Sequence, residues 1–276
     1  MKIAIIGKGG SGKSSISWLL ASYFSKNKKV LAIDADYNMD LMHNLKAPEE
    51  KITFLKSAEK DIYQIFNLPI EENALKITEK FKEEIFTLEP ADSFTQKYSY
   101  EINKNLKLMV LGDHDYETMY SGRCSHAYAK SIKFYLPYLK LGENQISIID
   151  SVAGTDMLNY GLYLGVDAIF CVVEDTKNSI MVMESSRKIA DEYNIPFYAL
   201  LNKTNGDDLK NIDEIQFVAK FYLDQALSEY EYEKVIEKNL ESCKNLEFFI
   251  NKIESKNNIY RLDHWKEKNK MIKNHN

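Results

Sequence analysis

Only three cysteines occur among 276 residues, and they stand far apart. No disulfide framework is expected, and a reducing cytoplasm is the natural setting. No apolar run approaches the roughly 18 residues that span a bilayer. A signal peptide is not expected, because the first strand reads from residue 2 and no long apolar stretch comes before it. There is no basic excess either. The net charge is −5, so no overall field attracts nucleic acid, and no nucleic-acid partner is expected. Internal repeats and low-complexity linkers are also missing. The rest of the composition, 45% hydrophobic and 28% charged, is that of a chain able to bury a sizeable core. The expectation is one domain over residues 1–276, with a charged, helical segment from about residue 206.

Against this background one segment stands out. Gly7-Lys8-Gly9-Gly10-Ser11-Gly12-Lys13-Ser14-Ser15 follows the apolar run Ile3-Ala4-Ile5-Ile6 and precedes the helical pattern Ser15 to Ala21. It fits G-x-x-x-x-G-K-[ST], the loop that wraps a phosphate chain between a strand and a helix. Glycines let the backbone curl until several N–H groups face one anion, and the helix N-terminus adds its positive dipole end. Gly9, Gly10, Ser11, Gly12, Ser14 and Ser15 are expected to supply that cradle. Lys13 is expected to reach the β- and γ-phosphates of ATP, and the Ser14 hydroxyl to hold Mg²⁺.

Further short apolar runs follow at 29–34, 106–112, 145–150, 167–174 and 196–202, with helical patterns between them. Strands alternating with helices predict an α/β fold, a mostly parallel twisted sheet with helices on both faces. The first two strands, joined by one helix, read as a parallel βαβ pair. Ligands in such sheets bind outside the carboxyl ends of the strands. The phosphate loop, Asp34, Asp150 and Asn202 all fall at those ends.

The acids are placed for nucleotide chemistry. Asp34-Ala35-Asp36 ends the second strand, and Asp36 is the candidate for orienting the attacking water. Asp34 and Asp40 are candidates for the outer shell of the metal. Any of these could instead cap a helix. Asp150-Ser151-Val152-Ala153-Gly154 ends the fourth strand. Asp150 is the expected second partner of Mg²⁺, and Gly154 is expected to bring a backbone N–H towards the γ-phosphate. Asn202 offers an amide for an adenine edge or serves as a plain turn residue. Lys8 has no evident role in cradling its own subunit's phosphates.

Lys-Gly-Gly-x-Gly-Lys-Ser at 8–14, Asp-x-Asp at 34–36 and Asp-x-x-Ala-Gly at 150–154 resemble the deviant-Walker ATPases. That P-loop family includes partition and septum-positioning ATPases, the nitrogenase iron protein and metal-insertion ATPases. The resemblance implies ATP hydrolysis to ADP and phosphate, slow without a partner. It also implies a homodimer that sandwiches two ATP molecules, with Lys8 reaching the other subunit's nucleotide as a catalytic group beside Lys13 and Asp36.

Gly122-Arg123-Cys124-Ser125-His126 lies between the third and fourth strands. Cys and His suit Zn²⁺ or Ni²⁺. Two chains about a two-fold axis could supply Cys124, His126 and their mates as a four-ligand site at the interface. Over about residues 1–205 the chain is similar to the carbon monoxide dehydrogenase maturation ATPases, which carry Cys-x-Cys at this place. Here His126 replaces the second cysteine, and Tyr37 stands where proline is usual. The resemblance implies a client metalloenzyme and metal insertion. Cys171 reads as core and Cys243 has no visible partner, so an iron–sulfur reductase is not expected. His43, His114, His264 and His275 show no ligand spacing and read as surface residues.

The alternative is a partition or septum-site ATPase working on DNA or a membrane surface. Its motive is the basic end of the chain with Ile259, Leu262, Trp265, Met271 and Ile272, which could form a surface-binding helix. A nucleotide-dependent ligase on the same core ranks last.

Overall fold

The computed structural model describes residues 1–69, 82–113, 130–154, 161–203, 215–222, 232–256 and 258–274. Ten strands are described: β1 (Lys2–Gly7), β2 (Lys29–Ala35), β3 (Phe86–Thr87), β4 (Tyr100–Asn103), β5 (Leu106–Val110), β6 (Leu139–Lys140), β7 (Gln145–Ser151), β8 (Ala168–Val173), β9 (Phe197–Asn202) and β10 (Phe217–Phe221). Eight of them form one sheet in the order β10-β9-β8-β1-β7-β2-β5-β4. Every neighbouring pair is parallel except β4 with β5.

Alternation along the strands builds the two-faced core. In β1, Ala4 and Ile6 enter one buried cluster, and Ile3 and Ile5 enter the other. Successive strand side chains point to opposite faces, so both faces must be covered. Helix α1 (Lys13–Phe24) covers the second face with Ile16, Trp18, Leu19 and Leu20. The first face is covered by α6 (Lys177–Glu192), through Met183 and Ala190, and by α9 (Ile259–Asn274), through Ile259 and Leu262. Between these in the chain lie α2 (Asp40–Asn44), α3 (Glu59–Ile65), α4 (Ser93–Tyr98), α5 (Lys130–Tyr135), α7 (Tyr232–Lys238) and α8 (Leu240–Ile250). Each isoleucine taken fully out of water contributes about 1.5–3 kcal/mol, so the β1 face-to-face packing anchors the loop that follows it.

Two expectations change, and the motive for the alternative reading weakens. First, β1 and β2 are parallel but not adjacent, because β7 sits between them and pairs with both. The connection through α1 leaps one strand position, a choice that no local pattern records. Second, the segment beyond 206 is not all helix, since β10 extends the sheet beside β9. As for that motive, the apolar side of α9 is not free. Ile259 and Leu262 are buried and Trp265 packs against the core. Arg261 donates to the Val166 carbonyl and, at 3.3 Å, to that of Asn194. Asp167 accepts from the Lys2 N–H (2.6 Å), Ser255 Oγ (3.1 Å) and Asn258 Nδ2 (2.9 Å). These bonds fasten the C-terminal helix to the amino end of the sheet, opposite the loop. Among the described residues no helix is long and apolar enough to cross a membrane.

Candidate nucleotide site

The loop between β1 and α1 is shaped by backbone that only glycine takes easily. Gly7 (φ 149°), Gly10 (φ 77°) and Gly12 (φ 97°) all lie at positive φ. A Cβ on Gly7 would meet the Val172 carbonyl oxygen at 2.5 Å, and one on Gly12 would meet Asn202 Nδ2 at 2.4 Å. The chain therefore passes tightly over β8 and β9 before α1 begins. No side chain caps α1, so its first-turn N–H groups retain the positive end of the helix dipole.

Above this helix end lies a cavity of about 380 Å³. Its walls include Gly9, Gly10, Gly12, Lys13, Ser14 and Ser15 from the loop, Asp36, Asn38, Asp40, His43 and Asn44 from the segment after β2, and Ala153 and Lys203. The loop, Asp36 and Asp40 thus line one cavity. Lys13 is nearly buried, and its Nζ donates to the Lys8 carbonyl at 3.4 Å.

Two acids lie beneath the cavity. Asp34 and Asp150 are register partners on β2 and β7, and both are fully buried. Asp150 Oδ1 accepts from Ser17 Oγ at 3.0 Å, while Oδ2 has no hydrogen-bond partner. Burial pushes the Asp150 carboxyl up to about 7, against the opposing pull of Ser14, Lys13 and Ser17. Burial, and then the neighbouring Asp150, hold Asp34 well above the usual carboxylate range. Asp34 Oδ2 accepts from the Met42 N–H at 2.9 Å and Oδ1 from the Asp36 N–H at 3.3 Å. Asp34 therefore fastens the segment that carries Asp36, rather than facing the cavity.

Other sequence candidates occupy different places from those expected. Asn202 is buried behind the loop, where Nδ2 donates to the Ser11 carbonyl at 2.8 Å. It is a brace for the loop, not an amide displayed to a base. Ser11 is also buried and does not line the cavity. The Gly154 N–H donates to the Gly7 carbonyl at 3.0 Å, so it is spent on the loop, and Ala153 faces the cavity instead. Lys8 lies outside the cavity wall and pairs with Glu174 Oε2 at 3.8 Å. Cys124 and His126 lie outside the described residues, among which no group of three or more His, Cys, Asp or Glu side chains is placed to hold a metal ion. Cys171 and Cys243 are free and buried.

Sequence reasoning passed over Ser17, gave Glu174 and Lys203 no role at the ends of their strands, and took His43 only as a surface residue. Ser17 stands one helical turn after Ser14, a spacing that could have shown it. Glu174 enters the site only because β8 adjoins β1.

The comparisons agree with this geometry. A model of the CobQ/CobB/MinD/ParA nucleotide binding domain matches residues 2–269, and the chain belongs to that family of P-loop nucleotide-binding domains. An uncharacterised ATP-binding protein of Methanocaldococcus jannaschii is 29% identical over 228 residues, 79% of this chain and 86% of the relative. The carbon monoxide dehydrogenase accessory protein CooC of Rhodospirillum rubrum is 26% identical over 197 residues, 71% of each chain. Among solved structures, a candidate plasmid partition protein of Borrelia burgdorferi B31 bound to AMPPNP superposes with a TM-score of 0.59. It is 19% identical, with 91% of this chain and 98% of that one covered. The septum site-determining protein MinD of Pyrococcus horikoshii, complexed with Mg-ADP, gives a TM-score of 0.54 at 16% identity, over 91% of this chain and 96% of that one. At those identities the two structures establish the fold.

Proposed function

We propose that this chain is an ATP-hydrolysing switch that closes as a homodimer and serves the maturation of a client metalloenzyme by handling a transition-metal ion. The observation that carries the reading is the cavity itself, where Lys13, Ser14 and Asp36 face one volume at an uncapped helix end.

The first-turn N–H groups of α1 and the Lys13 ammonium would hold the β- and γ-phosphates. Asp36 would orient a water in line with the γ-phosphorus. The new P–O bond forms from that water as the bond to the bridging oxygen breaks, leaving ADP and phosphate. The residues fit Mg²⁺: the donors are hydroxyl and carboxylate oxygens, and Asp150 Oδ2 is buried with no partner. Ser14 and Asp150 would hold it, directly or through water, and its charge would offset that of the phosphates. Its binding would also relieve the electrostatic cost of two adjoining buried acids.

The dimer rests on the family resemblance of Lys8, and the metal role on Cys124 and His126 together with the likeness to CooC. In the dimer, Cys124 and His126 of each subunit would bind Zn²⁺ or Ni²⁺ as cargo. The docked apolar side of α9 weighs against a surface-binding tail. Equilibrium dialysis with Zn²⁺ and Ni²⁺, on the wild type and Cys124→Ala, tests the metal role. Uptake by the wild type alone is expected. Equal uptake by both proteins, or none by either, would remove it.

A further inference from the structure

Glu174 is not part of the phosphate loop, yet it holds one cation within the loop, Lys8, and one outside it, Lys203. Oε1 lies 3.1 Å from Lys203 Nζ, and Oε2 lies 3.8 Å from Lys8 Nζ. The carboxylate is fixed from behind. Its residue follows β8, its N–H donates to Ser179 Oγ at 3.0 Å, and its carbonyl accepts from the Thr176 N–H at 2.7 Å. Thr176 in turn caps α6. The Glu174 side chain is only 16% exposed, so water screens the pairs incompletely.

The two lysines are not held equally. Lys203 also donates to the Gly10 carbonyl at the crest of the loop. It sits at φ 58°, a left-handed conformation that side chains rarely take. Lys8 has the longer ion pair, at nearly the same side-chain exposure as Lys203, 37% against 33%. When a stronger anion arrives, Lys8 is the one that Glu174 loses first.

We infer that Glu174 is the positioning residue for Lys8: it retains Lys8 beside its own loop until the phosphates of a second subunit's nucleotide draw it away, while Lys203 stays on the loop crest. This rests on the proposed nucleotide-driven homodimer. A pair of this exposure contributes little, so the hold is weak enough to release and strong enough to bias the equilibrium.

The test is sedimentation velocity with Mg²⁺ and a non-hydrolysable ATP analogue, across protein concentration, on wild type, K8A, E174Q and K8A/E174Q. Glu174→Gln is isosteric and removes only the charge. It should lower the concentration at half-dimerisation about threefold, the size that two weak pairs, one in each subunit, together support, and the double variant should match K8A. Glu174→Ala should give the same shift, so either variant decides if the other fails to fold. A folded E174Q that dimerises like the wild type, or less readily, overturns the inference. K8A dimerising like the wild type would remove the reach of Lys8 to the second subunit's nucleotide, and with it the inference, whereas a wild type that stays monomeric would overturn the dimer reading on which it rests.

Discussion

Gly12 and Asn202 form a coupled pair that two substitutions can resolve. In Gly12→Ala the new Cβ lies 2.4 Å from Asn202 Nδ2, so the amide must leave the Ser11 carbonyl that it holds at 2.8 Å. The left-handed backbone at φ 97° costs a non-glycine residue about 1–2 kcal/mol. The orphaned buried groups add about 1–3 kcal/mol. The sum, about 2–5 kcal/mol, corresponds to a fall in Tm of roughly 5–15 °C in a chain of this size. Asn202→Ala breaks the same hydrogen bond and makes room for the methyl group. The double variant therefore bears the backbone strain and loses the bond only once. Its destabilisation should fall short of the sum of the single effects by about 1–3 kcal/mol. Chemical denaturation of the four proteins, free of nucleotide, measures this. Additivity within about 0.5 kcal/mol would refute the contact as the source of the glycine requirement.

Lys13→Ala should abolish nucleotide binding, read by titration with a fluorescent ATP analogue; undiminished affinity would take Lys13 out of the phosphate site. Asp36→Ala should keep nucleotide binding and accumulate an ATP-bound dimer, because it removes the water-orienting carboxylate. Phosphate release at the wild-type rate would refute that role. Asp150 has a carboxyl raised by burial, so the folded state prefers it protonated. Stability of the nucleotide-free protein in EDTA should therefore fall as pH rises from about 4 to about 7, between the ordinary carboxyl value and the raised one. Asp150→Asn should flatten that slope and raise the thermal midpoint at the alkaline end, while losing the stabilisation that Mg·ATP gives the wild type. Parallel pH profiles for the two proteins would show that Asp150 is not the titrating group.

How far the sequence could be read depended on range. The loop was legible because its requirements are local: an apolar strand, glycines where φ is positive, and a lysine and a serine at the helix start. The strand ends were legible because a parallel sheet gathers them at one edge wherever each strand sits. What was hidden is everything that depends on which strand lies beside which. The place of β7 between β1 and β2 makes Asp34 and Asp150 register partners, and no pattern within either strand announces that two acids will share one buried spot. The same holds for Glu174, which meets Lys8 only because β8 pairs with β1.

Depth was equally hidden. Asn202 ends its strand as expected, yet the missing Cβ of Gly12 lets the loop settle onto it, and the amide turns from a display position into a brace. Tail residues mislead for the converse reason. Ile259, Leu262 and Trp265 with scattered lysines look like a surface-seeking helix, but the buried contacts of Arg261 and Asp167 had already committed that side to the core. In both places a group finds a partner inside the fold, so its chemistry is spent before any ligand arrives. Lys8 is the opposite case. Its partner inside the fold is a long, partly exposed ion pair, and a charge held that loosely on a loop remains available to a stronger anion.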